Sequence, residues 1–137
     1  MRGNPNRLNA FVEENLRLFP TNTLLANKIA MSNIEFCGVP FREGEQVIVP
    51  IPSPNRDPRV FERPDEIDLY RKPQRHFSFS LGSHFCLGQA LARAQLQAYF
   101  DVLSRTISSV DLLENEITWT PYAAITSLKS LRLRLNP

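Results

Sequence analysis

Phe79-Ser-Leu-Gly82-Ser-His84-Phe-Cys86-Leu-Gly88 is the stretch on which the reading of this chain turns. Two glycines let the backbone turn tightly and approach a bulky neighbour. A helical pattern starts at or just after Cys86. The free N–H groups and positive partial charge of a helix N-terminus stabilise a thiolate. Phe79 and Phe85 are available as aromatic walls. Thiolate ligation of a haem iron is one chemistry that asks for all three features. The plainer alternative is that Cys86 is a small buried hydrophobe, the usual fate of a free cysteine. A zinc site fits poorly, because His84 and Cys86 have no second Cys/His pair at finger-like spacing.

Outward from the loop, the periodicity changes several times. Leu8, Phe11, Val12, Leu16 and Phe19 recur at spacings of three and four, which predicts a helix over Leu8 to Phe19. Asn6 is its expected cap and Pro20 its stop. Glu14 and Arg17 lie three apart, on one face of that helix. Taken alone they form a solvated pair worth about 0.3–0.5 kcal/mol. Thr23 to Pro50 predicts short strands. Ile34 to Phe36 is closed by Gly38, and Val39 to Phe41 is expected to pair with Gln46 to Val49 across Arg42 to Glu45. Seven of the eleven prolines lie between Pro40 and Pro73, which excludes long helix or central strand from Pro50 to Pro73. Val60, Phe61, Ile67, Leu69 and Tyr70 are the expected anchors of that irregular crossing. Leu87 to Ile107 is the longest helical pattern. Its two apolar stripes predict a mostly buried helix. Val110 to Leu113, Ile117 to Thr120 and Leu131 to Leu135 read as strands, the last half-buried, with Trp119 in the core.

Composition narrows the classes. The 137 residues fit one domain, 1–137, with 42% apolar and 22% charged residues. A net charge of +2, with no basic block, gives no argument for nucleic acid. There is no run of about 18 apolar residues, so no membrane span is expected. The polar start lacks a signal-peptide pattern, and cytoplasmic residence is the expectation. Two cysteines, Cys37 and Cys86, do not make a disulfide framework, and Cys37 reads as structural.

The spacing Phe79-x-x-Gly82-x-His84-x-Cys86-x-Gly88 resembles the haem-binding loop of the cytochrome P450 family, the haem-thiolate monooxygenases. The Glu14-x-x-Arg17 helix resembles that family's Glu-x-x-Arg helix. Asn55 to Pro58, Phe61, Pro64, Asp65 and Asp68-x-x-Arg71 resemble its meander. The resemblance runs from about Leu8 to Asn136. It implies an α+β fold, mainly helical with small β-sheets, and specifically the C-terminal portion of the P450 domain.

The same resemblance implies haem b as cofactor, with Cys86 as axial iron ligand. Phe79, Gly82, His84, Gly88, His76 and Lys28 are then the haem-binding residues. His84, His76 and Lys28 are implied at the propionates, and the N–H groups of Leu87 and Gly88 at the sulfur. Glu14 and Arg17 are implied in a buried network. Glu66 occupies one place where the family carries that network's arginine, so Arg71 or Arg56 must act instead. The implied partners are a ferredoxin or ferredoxin/flavin-reductase electron donor and a small organic substrate, with Arg71, Lys72, Arg75 and Arg93 as candidate docking cations. Thr21 to Leu25 and Ala123 to Thr126 are implied along the substrate pocket. One departure is large. The family's oxygen-side helix carries Ala/Gly-Gly-x-x-Thr, and none of Gly3, Gly38, Gly44, Gly82 and Gly88 has that context. The expectation is therefore the proximal haem side of a monooxygenase, truncated, with apolar helix faces left uncovered. The alternative is a non-catalytic remnant or haem-binding module.

Overall fold

Helix α1 (Pro5–Leu18) starts where Asn4 accepts a 3.2 Å hydrogen bond from the Arg7 N–H, with proline in the first turn. The cap is thus Asn4, two residues before the expected Asn6, which lies inside the helix. The computed structural model describes residues 4–113, 117–120 and 124–137, apart from the side chains of residues 25–27. Leu8, Val12 and Leu18 of α1 are buried, as are Ile51 and Phe61. The core is therefore small and lies between α1 and the proline-rich crossing.

The described strands form three two-stranded antiparallel sheets. β1 (Leu24–Ile29) pairs with β4 (Gln46–Pro50), β2 (Ile34–Phe36) with β3 (Val39–Phe41), and β5 (Ser109–Leu112) with β6 (Leu133–Asn136). The expected pairing of Val39–Phe41 with Gln46–Val49 is thus corrected: Phe36 faces Val39 and Ile34 faces Phe41. The reason is the two-residue turn. Cys37 and Gly38 both have positive φ, 52° and 77°, the requirement of a type I′ hairpin, whose twist matches that of its strands. The segment 42–45 instead carries the chain from β3 into β4.

The crossing contains a single short helix, α2 (Pro52–Asn55). Of its expected anchors only Phe61 is fully buried. Val60, Ile67 and Tyr70 are exposed. Polar bonds rather than apolar contacts hold most of this segment. A 3₁₀ turn at Gly82–His84 leads to α3 (Gln89–Thr106). No residue of α3 is buried, contrary to the reading of its two apolar stripes. The described residues cover it on one side only, through α1, where the Phe11 and Phe100 rings meet edge-on at 5.0 Å.

The C-terminal readings are also corrected on burial. Trp119 is 54% exposed and meets Leu128 in an isolated bridge rather than a strand. β6 is exposed along most of its length. Residues 114–116 and Ala123, within the expected substrate-side turn, lie outside the described residues. What can be placed of that turn lies against Thr21–Thr23. Thr23 N–H donates to the Ala124 carbonyl at 3.0 Å, and Thr126 N–H to that of Thr21 at 2.7 Å.

Candidate haem-thiolate site

The loop before α3 is shaped by backbone hydrogen bonds around Cys86. The Cys86 N–H donates to the Phe79 carbonyl at 2.9 Å, and the Gln89 N–H donates to the Cys86 carbonyl at 3.3 Å. Closing this turn requires left-handed backbone at Gly82, with φ 66°, and at Ser80, with φ 63°. The thiol emerges one turn before the first residue of α3 and is exposed. Gly88 is its neighbour: a Cβ built there would lie 3.9 Å from the Cys86 sulfur.

Cys86 opens into a cleft of about 810 Å³. Leu16, Phe79, Leu96 and Tyr99 supply apolar wall, while Lys28 and His84 supply a cation and an imidazole. Thr21 and Asn22 line the same cleft. The donor set suits a haem: one thiol for the iron, an apolar wall for the macrocycle, and Lys28 with His84 for its carboxylates. Phe85 and Gly82 adjoin this cleft in sequence. They line a second cavity of about 520 Å³, and Phe79 lines both.

His76 lines the second cavity, with Phe79, Gly82 and Arg93. The Ser78 N–H donates to its Nδ1 at 3.3 Å, so in the neutral ring the proton sits on Nε2, 3.2 Å from Glu13 Oε2. Both ring nitrogens are engaged, and the residue is buried.

Glu13 gives no local signal, because the residue three positions on is Leu16. Its partners are 63 and 80 positions away. Besides His76, Arg93 donates to Glu13 from Nε at 2.6 Å and from Nη2 at 3.0 Å. The His76 hydrogen bond, followed by those of Arg93, outweighs partial burial and holds the Glu13 carboxyl at about 2. Arg93 also hydrogen-bonds the Gln89 side chain, and its guanidinium lies 4.6 Å from the Phe79 ring centre.

Glu14 and Arg17 are buried and form a two-pronged pair at 2.8 and 2.9 Å. The remaining Arg17 donors reach the carbonyls of Asn55, Pro64 and Glu66 at 2.9, 2.6 and 3.0 Å, so the five N–H groups of the guanidinium are all satisfied. Arg71 is the arginine that joins them, with Nε 3.0 Å from Glu14 Oε1. The Asp68 N–H donates to the other oxygen at 2.9 Å. Arg56 bonds the Leu18 carbonyl and Asp65 instead. Burial works to raise the Glu14 pKa, but Arg17, the Asp68 N–H and Arg71 outweigh it and the net direction is down. The Phe61 ring lies beneath both guanidinium groups, 5.0 Å from that of Arg17 and 5.9 Å from that of Arg71.

Asn55, which opens the meander-like stretch, has a role that its spacing does not report. Fully buried, it donates to the Arg17 carbonyl and to Ser78 Oγ, and accepts from the Phe77 N–H at 2.7 Å. It ties α1 and α2 to the strand of chain that enters the Cys86 loop.

The family model described as Cytochrome P450 matches residues 5–108. The biotin biosynthesis cytochrome P450 of Bacillus subtilis (strain 168) is 37% identical over 131 residues, covering 96% of this chain and 33% of the relative. The polyketide biosynthesis cytochrome P450 PksS of the same strain is 32% identical, covering 99% and 34%. The crystal structure of P450BioI in complex with a hexadec-9Z-enoic acid ligated acyl carrier protein aligns with a TM-score of 0.90 at 35% identity, over 97% of this chain and 34% of that one. The chain belongs to the cytochrome P450 family, and its architecture is part of that α+β fold. It spans about a third of the length of the curated relatives it matches. Among the described residues no helix is long and apolar enough to cross a membrane.

Proposed function

We propose that this chain is the proximal, haem-thiolate-bearing part of a cytochrome P450 monooxygenase. The observation that carries the reading is the meeting of Cys86, Phe79, Lys28 and His84 on one cleft. Cys86 would ligate the iron of haem b as a thiolate, with Phe79 against the macrocycle and Lys28 and His84 at its carboxylates. Haem so ligated supplies O₂ activation: substrate C–H, O₂, two electrons and two protons give substrate C–OH and water. The chain's own residues set the thiolate in place, hold its backbone through Phe79 and Gln89, and tie α1 to the crossing through Glu14, Arg17 and Arg71.

The two electrons come from a ferredoxin or flavin-reductase donor. Of the four candidate docking cations, Arg71 is bound to Glu14 and Arg93 to Glu13. The exposed Lys72 and Arg75 remain for an acidic donor. Charge reversal at these two slows electron transfer and weakens its salt dependence; no change in either removes them from the donor site.

The test is to express the chain with haem, reduce it, add CO and record its spectrum. A red-shifted thiolate–CO band that is lost in Cys86→Ala supports the reading, and failure to take up haem overturns it. A second reading is a haem-binding module without turnover. O₂- and reductant-dependent hydroxylation by the chain alone would decide against it.

A further inference from the structure

The two residues whose backbones hold Cys86 are both touched by one guanidinium. Phe79 accepts the Cys86 N–H, and Gln89 donates its N–H to the Cys86 carbonyl. Arg93 stacks on the Phe79 ring and hydrogen-bonds the Gln89 side chain. A guanidinium on an aromatic face and a side-chain amide is held in direction only if its remaining donors are also fixed. Glu13 does this, accepting from Nε and Nη2 with one oxygen each. The same carboxylate accepts from His76, ten positions before Cys86. Glu13 thus bridges the segment entering the loop and the helix leaving it, from a third element, α1.

We infer that Arg93, anchored by Glu13, is a positioning residue that fixes the Cys86 backbone and so the direction of its sulfur. The inference rests on the haem-thiolate reading for its consequence, but its geometry concerns this chain alone. The pair does not touch the Cys86 sulfur. It acts through Phe79 on one side and Gln89 on the other, so its loss frees the loop at both ends together. A carboxylate–guanidinium pair that merely glued α1 to α3 would not change the amide of Cys86 specifically.

The experiment uses the whole chain and compares wild type, Glu13→Gln, Arg93→Lys and Arg93→Ala. Amide hydrogen exchange reads the loop without haem. Exchange at Cys86 and Gln89 rises about tenfold in the Arg93 variants and in Glu13→Gln, while the amides of α1 beyond the first turn keep their wild-type rates. In the haem-loaded, reduced, CO-bound protein, the same variants lose part of the thiolate band to a band without thiolate character. Should Arg93→Ala fail to fold by circular dichroism, Glu13→Gln and Arg93→Lys, which keep side-chain size, decide the matter. Unchanged Cys86 exchange in those two variants, or a uniform rise across α1 and α3, overturns the inference. A wild type that takes up haem without a thiolate band sinks the haem-thiolate reading instead, and the exchange result still decides the positioning role.

Discussion

Arg71 reaches back 57 positions to set its Nε 3.0 Å from Glu14 Oε1, on the carboxylate that already holds Arg17. One buried anion thereby serves two cations from different elements, and both cations spend their other donors on carbonyls of the crossing. Such a cluster depends most on its anion, because removing Glu14 leaves two guanidinium groups charged and without a carboxylate.

Glu14→Gln is therefore expected to cost about 3–5 kcal/mol, far above the value of an exposed pair three apart. Arg71→Ala should cost less, since Glu14 keeps Arg17. The double variant should cost less than the sum, with a coupling of about 0.5–3 kcal/mol. Urea unfolding of the four proteins measures this. Additivity within about 0.5 kcal/mol would mean that the two residues act separately.

Acid should act through Glu13. Its carboxyl titrates near 2 in the folded chain against a usual value of 4.5. The unfolded chain takes up the proton first, so the Glu13 contribution is complete above about 4.5 and is lost as pH falls towards 2. The stability difference between wild type and Glu13→Gln should be constant near neutrality and shrink over that window. Asp57, whose pKa is lowered to about 2 by the Arg59 hydrogen bonds, adds a loss common to both proteins, which cancels in the difference. A difference that persists unchanged at pH 2.5 would contradict this account.

The sequence was most informative where one residue type answers a local demand. Left-handed backbone calls for Gly82, a helix stop for Pro20, and the loop spacing marks Cys86. The pairing of β3 was misread because Val39–Phe41 alternates acceptably with either neighbour, and only the φ values of Cys37 and Gly38 select one. The contacts of Glu13 and Asn55 escape the sequence for a different reason. Their partners are distant in sequence, so no spacing rule reports them. The burial of α3 falls short because an apolar stripe records what a helix face is suited to meet, whereas among the described residues α1 is the helix that packs against it.

The Cys37-Gly38 turn gives a local prediction. Gly38→Ala places a Cβ on left-handed backbone, at roughly 1–2 kcal/mol. Cys37→Asn relaxes the same strain, since asparagine tolerates φ near 52° better. Ile34, Phe36 and Val39 are half or more exposed, so the hairpin opens on its own rather than with the whole chain. Amide protection in β2 and β3 should fall in Gly38→Ala and rise in Cys37→Asn, with little change in the global unfolding midpoint. Equal protection in both variants would mean that the turn does not set the pairing.

Leu91, Tyr99 and Val102 are each more than half exposed along α3, and Leu87 before it is fully exposed. Apolar area of this kind drives self-association at micromolar concentration. Leu91→Lys with Val102→Lys should reduce scattering and dye binding while altering stability by no more than about 0.5 kcal/mol per site. A fall in melting temperature of many degrees would show that these side chains are covered in solution.

Ser80 carries the clearest backbone strain near the cleft. Its φ of 63° lies in the left-handed region, two residues before Gly82 at 66°. There an L-residue costs roughly 1–2 kcal/mol more than glycine, against up to about 1 kcal/mol of extra unfolded-chain entropy that glycine brings. The Ser80 side chain has no hydrogen bond among those of the described residues to set against this, and its N–H bond to the Phe77 carbonyl at 2.8 Å is one that glycine keeps. Ser80→Gly is therefore expected to stabilise the chain by about 0.5–1 kcal/mol, read as a higher urea midpoint at unchanged slope. Because the turn holds the Phe79 carbonyl that accepts from Cys86, the same substitution should slow exchange of the Cys86 amide. Destabilisation by Ser80→Gly would show that the serine side chain, rather than its backbone, is what this position requires.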